Sequence, residues 1–188
     1  MSSVVIAGDT SGTCTLQAPA VAGSTVLTLP ATSGTVLTSV SPQSSFPPNI
    51  AGNGPAFRIY ATATTSVPNG TPTKVILGGT TFDTTSGMVA SSRFTPTVAG
   101  YYQVNFGIRM ENVSTVSALL FKNGTSYSTG STTGNPALAY NSSGADLVYL
   151  NGSTDYIELY AYHAGTGTQT VTASSTETKL SAFLARSA

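Results

Sequence analysis

The chain has 188 residues, 40% of them apolar, and seven Lys and Arg balance seven Asp and Glu. Only 7% of residues are charged, against roughly 25% in an ordinary soluble domain. This speaks against a nucleic-acid partner, which needs clustered Lys and Arg, and against disorder, which pairs low hydrophobicity with high net charge. Cys14 stands alone, so no intrachain disulfide is expected, and so few charges leave little repulsion to keep subunits apart.

The opening MSSVVIAGD has no basic stretch, and its apolar run is too short for a secretory signal. No stretch is apolar for long enough to span a bilayer. Synthesis in a cytoplasm, without membrane insertion, is therefore the expectation. Residues 1–40 contain short β-prone pieces at 4–7, 13–17, 25–29 and 35–38, separated by Gly or Pro turns. About forty such residues cannot enclose a core alone. They must pair with further copies or dock on something larger. Val4, Val5, Ile6, Leu27, Leu29 and Val36 are the apolar residues expected to do so.

Residues 41–55, SPQSSFPPNIAGNGP, read as a linker, because four prolines exclude a helix or a central strand. Fully extended it would reach on the order of 40 Å. Strands then follow at the spacing of a β-sandwich over 56–188. Phe57, Ile59 and Ala61 alternate with Arg58 and Tyr60; further extended pieces are expected at 74–77 and from Phe82. Residues 94–110, FTPTVAGYYQVNFGIRM, organise the region: a Pro/Gly turn leads into strict alternation. Tyr102, Val104, Phe106, Ile108 and Met110 point one way; Tyr101, Gln103, Asn105, Gly107 and Arg109 point the other.

After that strand, 117–122 runs into Asn123-Gly124, a strong hairpin signal. The Gly/Ser/Thr stretch 129–135 reads as a loop without packing demands. Residues 146–150 lead through Asn151-Gly152 into 156–163, and 179–185 is the last strand. The polar stretches 125–143 and 164–170 read as loops, serving either as a contact surface for sugar or protein or as solvated spacers.

Two resemblances add to this reading. GDTSG at 8–12, APAVAG at 18–23 and LTLPATSGTV at 27–36 resemble a module that opens bacteriophage fibre and other virion structural proteins. That resemblance implies an attachment role for residues 1–40. Farther on, Ala56-Phe57, Lys74-Val75, Phe82-Asp83 and Phe94-Thr-Pro with Ala99-Gly100-Tyr101-Tyr102 resemble the C1q/TNF-like jelly roll. So do LLFKNG at 119–124, residues 155–159 and KLSAFL at 179–184, although Gly152 is displaced and Ala182 replaces a glycine. This second resemblance implies a ten-strand sandwich and a homotrimer, here without the collagen-like stalk of many relatives.

Catalytic chemistry finds little to work with. His163 is the single histidine, on the face of Ile157 and Leu159, and reads as a core or interface imidazole. A serine triad lacks a nucleophile elbow, and Asp155 and Glu158 fall on opposite strand faces, which defeats two-carboxylate hydrolysis. No zinc ligand set exists; Asp83, Asp146 and Asp155 are the only oxygens worth naming for calcium, without a clustered acidic loop. No enzyme, metal or cofactor is expected. Tyr102, Tyr156, Tyr160 and Tyr162 have two readings: core packing and cross-strand stacking, or the threefold axis of a trimer. The functional expectation is a homotrimeric structural protein on a phage virion surface, a capsid decoration or short fibre held to capsid or tail proteins by residues 1–40. The alternative is a tail-fibre tip whose loops hold a host surface glycan or protein.

Overall fold

A computed structural model describes residues 3–7, 10–17, 54–86, 88–89, 92–133 and 139–188. The chain divides into two compact units, Met1–Thr38 and Ser39–Ala188. In the first, β1 (Ser3–Ala7) and β2 (Thr13–Gln17) form an antiparallel hairpin with Val5 opposite Thr15 and Ile6 opposite Cys14. Val5 and Ile6 are more than half exposed. Among the described residues these two five-residue strands have no second layer on which to bury them, and a two-stranded hairpin by itself is marginal in water. Leu27, Leu29, Val36 and the expected strands at 25–29 and 35–38 lie outside the described residues, as does most of the expected linker.

The second unit is an antiparallel sandwich. Its strands are β3 (Ala56–Tyr60), β4 (Thr65–Val67), β5 (Thr73–Lys74), β6 (Gly79–Asp83), β7 (Met88–Val89), β8 (Arg93–Phe94), β9 (Ala99–Glu111), β10 (Thr115–Lys122), β11 (Thr125–Thr133), β12 (Ala139–Asn151), β13 (Ile157–Ala164), β14 (Gln169–Val171) and β15 (Lys179–Ser187). One sheet has six strands in the order β11-β10-β13-β8-β7, with β5 also on β13. The other has seven. Its centre is β9, bordered along its whole length by β12 and on its other edge by β15, then β3 and β6; β14 and β4 extend that edge. The described residues of this unit thus hold thirteen strands where ten were expected, several of them only two or three residues long.

Alternation in β9 holds as read. Tyr102, Val104, Phe106, Ile108 and Met110 are buried, and they meet Leu120, Ile157, Leu159 and Ala161 of the facing sheet in one core. Asn123 and Gly124 both have positive φ, the geometry of a two-residue hairpin whose twist matches its strands.

The stretch 125–143 departs from expectation. Its described residues are strand: β11 occupies Thr125–Thr133 and β12 begins at Ala139. A run such as TSYSTGSTT carries no alternation of polarity, so its pairing comes from the hairpin and the backbone ladder to β10. A bulge in that ladder sets Gly130 and Ser131 opposite Ala118, whose other neighbour is Ala161 of β13. The fully buried Ser142 of β12 reaches in beside the bulge. Its Oγ accepts the Ala118 N–H at 2.7 Å and donates to the Ser131 carbonyl, tying the two sheets together at their seam. Close approach there is possible because Gly130 and Gly144 face each other; a Cβ on either would meet the other strand.

Candidate functional site

The outward faces of the two sheets differ in chemistry. On the seven-stranded sheet, register aligns outward residues in rows: Phe183, Gln103 and Leu147 in one, Tyr101 and Tyr149 in the next. Tyr101 is 42% exposed, Tyr149 40%, Leu147 48% and Phe183 49%. The rings of Tyr101 and Tyr149 lie 5.4 Å apart. A shallow concavity of about 490 Å³ opens among Tyr101, Leu147, Tyr149, Ala185 and Arg186. Tyr127 of β11, 46% exposed, directs its hydroxyl toward the Leu147 carbonyl at 3.4 Å and carries the apolar surface round the sandwich edge.

Farther along, the same face turns polar. Arg109 donates to Glu177 at 2.9 Å and to Glu111 at 3.1 Å, and Asn141 donates to Glu177. The hydrogen bond from Arg109 holds the Glu177 carboxyl below its ordinary range. Gly107, Asn141, Glu177 and Lys179 line a second concavity of about 550 Å³.

The six-stranded sheet presents β13's even positions: Glu158, Tyr160 and Tyr162, with Tyr156 just before the strand. Glu158 is only 2% exposed. Its Oε1 receives Lys74 Nζ at 2.6 Å and Arg93 Nε at 2.9 Å, and the Tyr160 hydroxyl reaches Oε2 at 3.5 Å. Burial works against ionisation, yet the hydrogen bonds and charges of Lys74 and Arg93 outweigh it and hold the carboxyl below its ordinary value. The Arg93 guanidinium lies 3.6 Å over the Tyr156 ring, and Tyr160 stacks on Phe121 at 3.9 Å.

The four candidate tyrosines therefore separate. Tyr102 belongs to the core: it is fully buried in the single chain, edge-on to Phe94, and its hydroxyl donates to the Val98 carbonyl at 2.7 Å. Burial pushes its pKa up to about 12. It has no surface left for a second copy, which removes it as an interface residue. Tyr156, Tyr160 and Tyr162 are half-buried, and the first two are already engaged by Arg93 and Phe121. The exposed aromatics among the described residues lie elsewhere: Phe82, Tyr101, Tyr127, Tyr149 and Phe183.

His163 is fully buried, with Nε2 2.9 Å from the Val67 carbonyl, and it pins the turn after β4. Asp155 pairs with Asn123 and Lys122, Asp146 accepts the Leu147 amide and Asp83 the Thr85 amide. Among the described residues no three His, Cys, Asp or Glu converge as a metal site, and no helix is long and apolar enough to cross a membrane.

No protein-family model matches the chain, and no curated protein matches its sequence. Solved structures do. Eiger TNF from S. frugiperda aligns with a TM-score of 0.57 and 12% identity, covering 71% of this chain and 93% of its own. Murine APRIL at pH 5.0 aligns with a TM-score of 0.56 and 14% identity, covering 69% of this chain and 98% of its own. Likeness at that identity is a likeness of fold: the chain carries an all-β, C1q/TNF-like jelly roll.

Proposed function

We propose that this chain is a non-enzymatic structural protein of a bacteriophage virion, a homotrimeric capsid decoration or short fibre displayed on the virion surface. The observation that carries the trimer is the apolar row on the outward face of β9, β12 and β15. Tyr101, Leu147, Tyr149 and Phe183 leave 40–49% of their surface exposed in a chain with few charges to offset it. Burying what remains exposed would contribute on the order of 1 kcal/mol per side chain. Because the patch continues over the edge to Tyr127, the edge of one copy can cover the face of the next. Such a contact is heterologous, and a threefold rotation between copies closes it into a ring.

Attachment to capsid or tail proteins falls to the first unit. Its support is the module-like sequence of residues 8–36 together with a hairpin that exposes Val5 and Ile6. The same trimer would serve as a host-binding tip if a face outside the ring held a host glycan, and the six-stranded sheet offers such a face. The experiment is assembly of virions with a chain lacking residues 1–40. The truncated chain should keep a β-rich circular dichroism spectrum and be absent from purified particles. Particles that carry it would contradict the assignment.

A further inference from the structure

The geometry points to a binding site for an acidic sugar on the outward face of the six-stranded sheet, with Arg93 and Lys74 receiving its carboxylate and Tyr156 and Tyr160 its ring. The charge count is the first reason. One buried carboxylate, Glu158, is met by two cations on the same oxygen, so the cluster carries one positive charge more than it neutralises. The neighbouring Lys122–Asp155 pair cancels internally.

Orientation is the second reason. Arg93 gives only Nε to Glu158, and its guanidinium carbon lies 3.6 Å from the centre of the Tyr156 ring. Its two terminal nitrogens have no acceptor among the described residues, and the side chain remains about one-third exposed. A guanidinium held in this way presents a fixed fork, which matches the two oxygens of a carboxylate. Lys74, 29% exposed, adds a second donor beside it.

Sugar is favoured as the carrier of that carboxylate by what flanks the fork. Tyr156 and Tyr160 are half-buried, the first beneath Arg93 and the second stacked on Phe121 with its hydroxyl toward Glu158. Rigid tyrosines combine an apolar ring with a polar tip, which suits a pyranose with its C–H face and hydroxyl rim. A polyanion would need far more than one net positive charge. The site deepens the host-binding form of the function proposed above. It is read by ligand binding, so it can fail or hold independently of virion attachment and of subunit mass.

The test is calorimetric titration of the full chain with 3′-sialyllactose and tri-galacturonate, with lactose and glutarate as the sugar-only and carboxylate-only controls. Both acidic sugars should bind about tenfold or more tightly than either control, and weaken with added salt. Arg93→Lys keeps a cation beside Glu158 but loses the fork and the guanidinium over Tyr156; it should weaken acidic-sugar binding about tenfold. Tyr156→Leu, which leaves both cations in place, should do the same and carries the test if Arg93→Lys fails to fold. Absence of acidic-sugar binding, equal binding of lactose or glutarate, or indifference to the folded variants would overturn the proposal.

Discussion

Replacing Ser142 by alanine removes one hydroxyl from the sandwich seam and exposes how much the bulge depends on it. In the native chain that hydroxyl serves the Ala118 N–H, beside the bulge, and the Ser131 carbonyl. Ser142 is fully buried, so water does not replace it without opening the seam. Each unmet buried group costs about 1–3 kcal/mol, which places Ser142→Ala about 3 kcal/mol below the parent. For a domain of this size that lowers Tm by roughly 6–12 °C. Denaturant unfolding at fixed protomer concentration measures the difference, with the exposed neighbour variant Ser143→Ala as a control expected to change little. A loss below about 0.5 kcal/mol, or one equal to the control, would refute the bridging role.

Two further outcomes follow from buried charge and backbone geometry. Glu158→Gln should destabilise by about 2 kcal/mol near neutral pH, moderated by the partial exposure of Lys74 and Arg93. Because the folded carboxyl titrates below its ordinary value of 4.5, its contribution is complete above about that pH and is lost as pH falls through the lower folded value. The variant should therefore lose less stability than the parent on acidification, and parallel acid-unfolding curves would contradict this. Gly152→Ala should cost at least about 2 kcal/mol, since Gly152 has φ +71° and an added Cβ would collide with the Ala99 amide. Thermal melts showing no loss would count against that geometry.

Much of the sandwich was legible because β9, β13 and β15 alternate by residue type, and because Asn123-Gly124 admits few conformations. His163 could be placed in the core from the parity of Ile157 and Leu159. The edge strand β11 and the start of β12 were not legible. Thr, Ser and Gly satisfy either face of a sheet, so nothing in TSYSTGSTT distinguishes a strand from a solvated loop until a neighbour supplies the ladder. The apolar face was missed for a related reason. Tyr101 and Tyr102 are adjacent and chemically alike, and parity put Tyr102 with the core residues while the threefold reading was still attached to it. What marks the outer patch is the cross-strand alignment of Tyr101 with Tyr149, and of Phe183 and Leu147 about Gln103. Those partners are separated by dozens of residues, and alternation within one strand does not supply that pairing. The carboxylate of Glu158 tells the same story. Its position among tyrosines was visible, but Lys74 and Arg93 reach it from 84 and 65 residues away.

Mass in solution tests the central claim most directly. Light scattering on the purified full chain at micromolar concentration should give three chain masses, and Phe183→Asp should give one. Phe183 is about half exposed in the single chain, so this variant should keep its fold while placing an unpaired charge in the apolar contact. A parent that scatters as a single chain, or a folded Phe183→Asp variant that remains threefold, would contradict the account.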